Sequence, residues 1–228
     1  MWLGKIIPLT LVTARVAPFV AFVLLTAAQG WFDPAAAYWL YLGKTVLAIW
    51  MLLALRSLLP EMRWAVSWEA VAVGVGIFAI WVGISHGWAV ENYFRSSTAK
   101  PGLIWNPNEQ FGAGSMLAWL FIVTRILGST LVVPPVEEIF YRSFFYRYMA
   151  KVDFLSVPLN QFLPIPFLVT SLSFGLVHNQ WLAGIICGAA YQWLVIRKGR
   201  LGDAMTAHAI TNFLLGVWVV WRGQWQFW

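Results

Sequence analysis

Apolar positions in this chain run on for many residues at a time, with polar residues gathered between the runs. The apolar runs cover residues 7–28, 36–59, 69–88, 116–133, 136–150, 167–178, 181–196 and 201–221. Most approach the roughly 20 residues that carry a helix across a hydrocarbon layer. Turn and interfacial signals bound them. Asp33-Pro34 follows the first run, and Pro60 ends the second between Arg56 and Arg63. Pro134-Pro135 separates the fourth from the fifth, and Arg197, Lys198 and Arg200 precede the last. The pattern predicts an all-α integral membrane protein, a bundle of about eight transmembrane or membrane-embedded helices. Gly74 and Gly76 in the third run, and Gly184 and Gly188 in the seventh, suit close helix contact. The first run looks like a signal peptide ending at Thr26-Ala27-Ala28, but Arg15 breaks its apolar core, so a retained first helix is expected.

One long polar stretch, residues 91–115, carries Ser96-Ser97-Thr98, Pro101, Gly102, Asn106, Pro107 and Asn108 and reads as an extramembrane loop. It divides a single polytopic domain, residues 1–228, into three N-terminal helices over 1–90 and a five-helix core over 116–221. The prolines at 134 and 135 are expected to end one helix and start the next, which puts Glu137 and Glu138 in a first turn. The partial positive end of that helix would favour their ionised form. The fifth run is short for a crossing, and this leaves two topologies. With eight crossings, Lys151 and Arg197–Arg200 fall outside; if the fifth run does not cross, Lys5, Arg56, Arg63, Lys151 and Arg197–Arg200 all fall inside.

Composition agrees with a membrane setting. The 228 residues are 61% hydrophobic and 11% charged with mean hydropathy +0.71, where soluble domains carry roughly 25% charged residues. Sixteen tryptophans suit long membrane–water interfaces. Net charge is +6, but the cations are scattered between apolar runs and form no stripe, which argues against nucleic acid. The single cysteine, Cys187, has only apolar neighbours and reads as a small core residue. Arg15, Lys44 and Arg125 lie inside apolar runs, and their direction is left open by the sequence.

The polar exceptions carry the chemistry. Glu137-Glu138 and Arg142 stand in a stretch otherwise written for lipid, where a charge costs roughly 2.5–3.5 kcal/mol. On a helix Glu138 and Arg142 share a face at i, i+4, while Glu137 is turned roughly 100° away. One acid is thus compensated and the other is left to be tuned. A buried ion-pair network that only fixes packing is the competing reading. His178 closes a run in which Phe174 shares its face, and His208 shares a face with Asn212. His86 reads as interfacial. Unpaired polar groups in lipid are costly, so these residues are expected to converge on one interior site. A carboxylate with an imidazole can take a proton from water and return one to a leaving amine. A second imidazole and a carboxamide can donate to an oxyanion. Equally, Glu137, His178 and His208 match the ligand set of a catalytic zinc site. Ser115 has no base beside it in sequence.

Glu137-Glu138-x-x-x-Arg142, Phe174-x-x-x-His178 and His208-x-x-x-Asn212, in this order on successive helices, resemble the signature of the type II CAAX-processing and bacteriocin-processing (CPBP, Abi) intramembrane protease family. The likeness covers residues 117–215. Residues 132–138 and 208–212 also look like the subgroup associated with exosortase systems. The resemblance implies an intramembrane endopeptidase. In it Glu137 and His178 activate water, His208 and Asn212 shape the oxyanion site, and Glu138, Arg142 and Phe174 support them. It implies no cofactor, with zinc as the alternative. It also implies contact with membrane lipid and a peptide or protein substrate, lipidated or membrane-anchored. The setting implied is multi-pass in a cell membrane, a bacterial inner membrane. A non-proteolytic scaffold or transporter is the reading from another class.

Overall fold

In the computed structural model, described over residues 11–86 and 105–228, every regular element is helical. The side chains of Ser85 and His86 and the loop residues Ser96-Ser97-Thr98, Pro101 and Gly102 lie outside the described residues, as does Lys5. The helices are α1 (Leu11–Ala28), α2 (Pro34–Leu55), α3 (Trp68–His86), the short α4 (Pro107–Phe111), α5 (Met116–Ala150), α6 (Pro164–Leu176), α7 (Trp181–Lys198) and α8 (Gly202–Arg222). The helical stretches Leu11–Trp31, Pro34–Leu58, Met116–Ala150 and Gly202–Arg222 are long and apolar enough to cross a membrane.

Pro134 and Pro135 do not end a helix, contrary to the sequence expectation. The fourth and fifth runs form one helix of 35 residues. A wide π turn, Gly128–Val132, comes immediately before the prolines, and a second, Ile139–Phe145, follows the glutamates. The Val133 N–H donates to the Gly128 carbonyl, five residues back. A proline in an α-turn clashes with the carbonyl four residues earlier; the widened turn absorbs the rings, which sit at the first positions of the α segment Val133–Glu138. Glu137 and Glu138 are therefore not at a free helix N-terminus, and no terminal dipole acts on them. Ser115, by contrast, caps α5, accepting from the Ala118 N–H at 3.1 Å.

With the two runs merged, the cation-bearing ends of the helices lie at one end of the bundle. The beginning of α1, the α2–α3 connection and the end of α5 meet through Arg15, Glu61 and Arg147. Lys198 at the end of α7 pairs with Glu69 at the start of α3, 2.6 Å apart. This end of the bundle gathers Arg56, Arg63, Lys151 and Arg197–Arg200. At the opposite end Tyr38, Trp105, Phe121 and Trp228 cluster.

Close packing rests on particular glycines. A Cβ on Gly184 of α7 would stand 2.8 Å from the Gly175 Cα of α6, and one on Gly188 would stand 3.0 Å from the Ser171 carbonyl oxygen. On α3, a Gly74 Cβ would meet the Ala207 carbonyl of α8 at 2.7 Å, whereas nothing lies within 4 Å of one on Gly76. Of the two glycines read as contact residues in α3, only Gly74 makes the contact. Cys187 is buried in the same apolar core.

Two predictions follow from this arrangement. Gly74→Ala lowers stability in detergent by about 1–3 kcal/mol through overpacking, while Gly76→Ala gains up to about 1 kcal/mol of helix propensity; thermal unfolding of both variants checks the pair. The charge asymmetry predicts that the cation-rich end faces the cytoplasm. In oriented vesicles, cysteines at 156 and 63 should react with an impermeant maleimide from that side, and one at 109 from the other.

Candidate active site

Glu138 and Arg142 are each fully buried, with 0% of their surface exposed. Arg142 Nε lies 3.0 Å from Glu138 Oε2, the i, i+4 pair that the sequence suggests. Glu138 Oε1 accepts from Nδ1 of His208 at 3.0 Å. Arg142 Nη2 donates to the Gly188 carbonyl at 3.3 Å, and its guanidinium sits 4.5 Å from the Phe174 ring centroid. One acid, one guanidinium and one imidazole from α5 and α8 thus form a single cluster, closed by the backbone of α7 and an aromatic ring of α6.

Glu137 is different. It is partly buried, and among the described residues its Oε2 is shielded from solvent without a hydrogen-bond partner. The two adjacent carboxylates separate as the helical rotation between them requires: one is committed to Arg142 and His208, the other is not.

Phe174 links the two histidines. Its centroid lies 4.9 Å from the His178 ring and 6.0 Å from the His208 ring. His178 Nδ1 is 2.6 Å from the Phe174 carbonyl oxygen. A carbonyl only accepts, so Nδ1 carries the hydrogen and Nε2 is the acceptor of the neutral ring. Trp81 of α3 packs edge-on against the same imidazole at 5.6 Å. His208 stacks on Tyr191 at 5.2 Å. The Tyr191 hydroxyl donates to Thr211 Oγ1 at 2.7 Å, and Thr211 donates to the Gly74 carbonyl at 2.9 Å.

Asn212 Nδ2 donates to the Ser129 carbonyl at 2.8 Å. That carbonyl is available because both of its helical donors are lost. The Val133 N–H is turned to Gly128, and Pro134 has no N–H. The wide turn and the prolines therefore create the acceptor that holds Asn212.

The structure brings Glu138, Arg142, His208 and Phe174 into direct contact, with His178 against the far side of Phe174. Among the described residues, Glu137, His178 and Asn212 are not hydrogen-bonded to one another. The same residues offer no group of three His, Cys, Asp or Glu side chains placed to hold a metal ion, the set Glu137, His178 and His208 included.

Sequence reasoning passed over Tyr191, Thr211, Ser129 and the Gly188 carbonyl. A usable signal for Tyr191 is its place three residues after Gly188, on the same helix face. It also passed over a second polar network one residue along α5. Arg15, 1% exposed, pairs with Glu61 at 2.7 Å and donates to Ser143 at 3.1 Å. Ser143 donates to Glu61 and receives Arg147 Nη2 at 2.6 Å. Arg15 thus faces the interior. Lys44 does too, donating to Thr26 and Gln29 at 2.7 and 2.8 Å. The Arg125 guanidinium lies among Trp105, Tyr41 and Trp228, 4.5 Å from the nearest ring centroid.

Fold and site together define a polytopic helical membrane protein with a charged centre buried in its bundle. Residues 115–214, which carry all three motifs, match the family described as type II CAAX prenyl endopeptidase Rce1-like, and this match supports the CPBP family. At a general level the match supports an intramembrane protease of the CAAX type, a peptide hydrolase. No curated protein and no solved structure matches the chain.

Removing one partner of a fully buried ion pair leaves an uncompensated charge. Arg142→Leu should cost about 3–5 kcal/mol, and adding Glu138→Gln should recover part of the loss. A double-mutant cycle followed by thermal unfolding in detergent reads the coupling directly.

Proposed function

We propose that the protein hydrolyses a peptide bond near the membrane surface with a water activated by Glu137 and His178. The observation that carries the reading is the division of labour between the adjacent glutamates. Glu138 is committed to Arg142 and His208, while Glu137 keeps a shielded oxygen without a partner. A carboxylate in that position is suited to take a proton from water.

In this reaction the water oxygen bonds to the scissile carbonyl carbon as its proton passes to Glu137. His178, whose Nδ1–H is held by the Phe174 carbonyl, presents Nε2 as the acceptor that orients the water and relays protons. The carbon–nitrogen bond then breaks, and the proton is delivered to the leaving amine. The oxyanion is held by His208 and Asn212. The Nδ1–H of His208 is fixed on Glu138, so Nε2 donates when the ring carries both protons. Asn212 uses one amide hydrogen on Ser129 and keeps the second for the oxyanion. Glu138 and Arg142 set the orientation and charge of His208, and Phe174 spaces the two imidazoles. No covalent intermediate and no cofactor are required.

The substrate is a peptide or protein that is lipidated or membrane-anchored, met in the lipid phase; nucleic acid has no part. We place the protein in the cell membrane of a bacterium, and residues 132–138 and 208–212 resemble the exosortase-associated subgroup. Of the aromatics of α5 around the glutamates, Tyr141 belongs to the buried core and Phe140 and Phe145 pack against it.

Cleavage of a fluorogenic peptide library in detergent tests the proposal, with wild type and Glu137→Gln each assayed with and without a chelator. Glu137→Gln and His178→Ala should each lower the rate by about 100-fold or more while unfolding at the wild-type temperature, and wild-type cleavage should survive chelation. Loss on chelation with recovery on added zinc would move the mechanism to the metal. Full activity in Glu137→Gln would end the carboxylate-base reading.

A further inference from the structure

A charged cluster that takes no part in the reaction above lies at the cation-rich end of the bundle. Arg15 of α1 and Arg147 of α5 are 1% and 6% exposed, and they share one carboxylate, Glu61. Glu61 Oε1 is 2.7 Å from Arg15 Nη2 and 3.8 Å from Arg147 Nη2. Both guanidiniums also stand over the Phe154 ring, each 5.4 Å from its centroid. Two cations held against one acid leave the cluster with a net positive charge. A buried charge without a partner is costly, so this arrangement has room for a second anion.

The cluster lines a cleft of about 460 Å³. Among the described residues its polar lining is Arg15, Arg147, Glu61 and Ser57, and the rest is apolar, Leu11 and Leu155 included. Leu11 and Leu155 are 44% and 40% exposed, and Ser57 is exposed as well. The apolar helical stretches begin at Leu11 and end at Leu58 and Ala150, so the cleft sits where three segments leave the hydrocarbon layer. Arg56, beside Ser57, and Lys151, whose N–H donates to the Arg147 carbonyl, add exposed cations around it. Asp153, exposed on the connection after α5, is not part of the lining. Each terminal nitrogen of a guanidinium carries two hydrogens. Arg15 gives one from Nη1 to the Leu11 carbonyl and one from Nη2 to Glu61. Arg147 gives one from Nη1 to the Val157 carbonyl and one from Nη2 to Ser143 Oγ. Each of the four nitrogens thus keeps a second hydrogen for an acceptor.

We propose that this cleft binds the headgroup of an anionic phospholipid, with its phosphate on Arg15 and Arg147 and an acyl chain leaving past Leu11 and Leu155. A phosphate diester offers two anionic oxygens, the acceptor geometry that guanidinium hydrogens match best. The Ser57 hydroxyl adds a neutral donor at the mouth. Basic pockets between helices on the cytoplasmic side recognise lipid headgroups in this way. Net charge selects among the lipids. A headgroup with an ammonium brings another cation to a cluster that already has one in excess, whereas phosphatidylglycerol supplies the missing anion. The apolar part of the lining distinguishes a lipid from free phosphate, because only a lipid covers Leu11 and Leu155. The bound lipid ties together α1, the α2–α3 connection and the end of α5. This site is separate from the proposed hydrolytic centre and does not rest on it.

Native mass spectrometry of the full chain in detergent tests the site by titration with phosphatidylglycerol, phosphatidylethanolamine or phosphatidylcholine of the same acyl chains. Phosphatidylglycerol should add one saturable lipid, bound about fivefold or more tighter than the other two. Ser57→Asp places an acid in the cleft at an exposed position and leaves both arginines in place; it should weaken that lipid by about fivefold or more. Asn160→Asp adds the same charge at an exposed position beside Gly199, at the same end of the bundle but outside the cleft. Its effect, screened by solvent, should stay within about twofold. Thermal unfolding gives a second reading, since a ligand of the folded state raises its stability. Phosphatidylglycerol should raise the unfolding temperature of the wild type and of Asn160→Asp, but not of Ser57→Asp. Inorganic phosphate alone, at millimolar concentration, should give neither adduct nor shift. Equal binding of the three lipids, or equal weakening by the two variants, overturns the proposal. An adduct with inorganic phosphate and none with phosphatidylglycerol overturns the lipid as the ligand.

Discussion

A carboxylate and a guanidinium that cannot reach water are the constraint around which this bundle is built. Glu138 and Arg142, both fully buried, are affordable in a low-dielectric interior only if every charge and lone pair is answered locally. The answers come from four helices: Oε1 by His208 of α8, Oε2 by Arg142 of α5, the guanidinium by the Gly188 carbonyl of α7 and by the Phe174 ring of α6. Each answer fixes the distance and rotation of one helix relative to α5. Gly188 has no side chain, and that lets a backbone carbonyl serve as a ligand at the same place where α6 presses against α7.

The two wide turns of α5 are the second structural decision. They sit on either side of the glutamate pair, at Gly128–Val132 and Ile139–Phe145. The first accommodates two consecutive prolines and frees the Ser129 carbonyl, which Asn212 then occupies. The second lies between Glu138 and the end of the helix and carries Arg142 and Ser143 toward different neighbours, one into the charged centre and the other into the network of Arg15, Glu61 and Arg147. Helical interruptions of this kind trade regular hydrogen bonds for side-chain placement, a common feature of functional sites.

The family likeness is confined to residues 115–214, yet the N-terminal helices are not a passive addition. Gly74 of α3 accepts the Thr211 hydroxyl and so reaches the Tyr191 support of His208, while Trp81 packs on His178. Arg15 of α1 and Glu61 hold the far end of α5 through Ser143 and Arg147. Both imidazoles and the far end of α5 are thus braced by residues outside the motifs.

Much of this was legible in the chain itself. Apolar runs of membrane length declared the helices, because backbone groups in lipid have no alternative partner. The spacing of Glu138 and Arg142 declared their pairing, because residues four apart share a face even across a widened turn. The isolated polar residues Glu137, His178, His208 and Asn212 marked candidates for an interior site, because lipid penalises them elsewhere. What tertiary structure alone decided is which groups answer which. The fusion of two runs into one helix at Pro134-Pro135 depends on a π turn whose energy is set by neighbouring helices, and a local reading of proline gives the opposite result. The commitment of His208 to Glu138, 70 residues away, and its stacking on Tyr191 are contacts between separate helices. No periodicity encodes them; they exist only once helices meet at glycines and the buried charges find their partners.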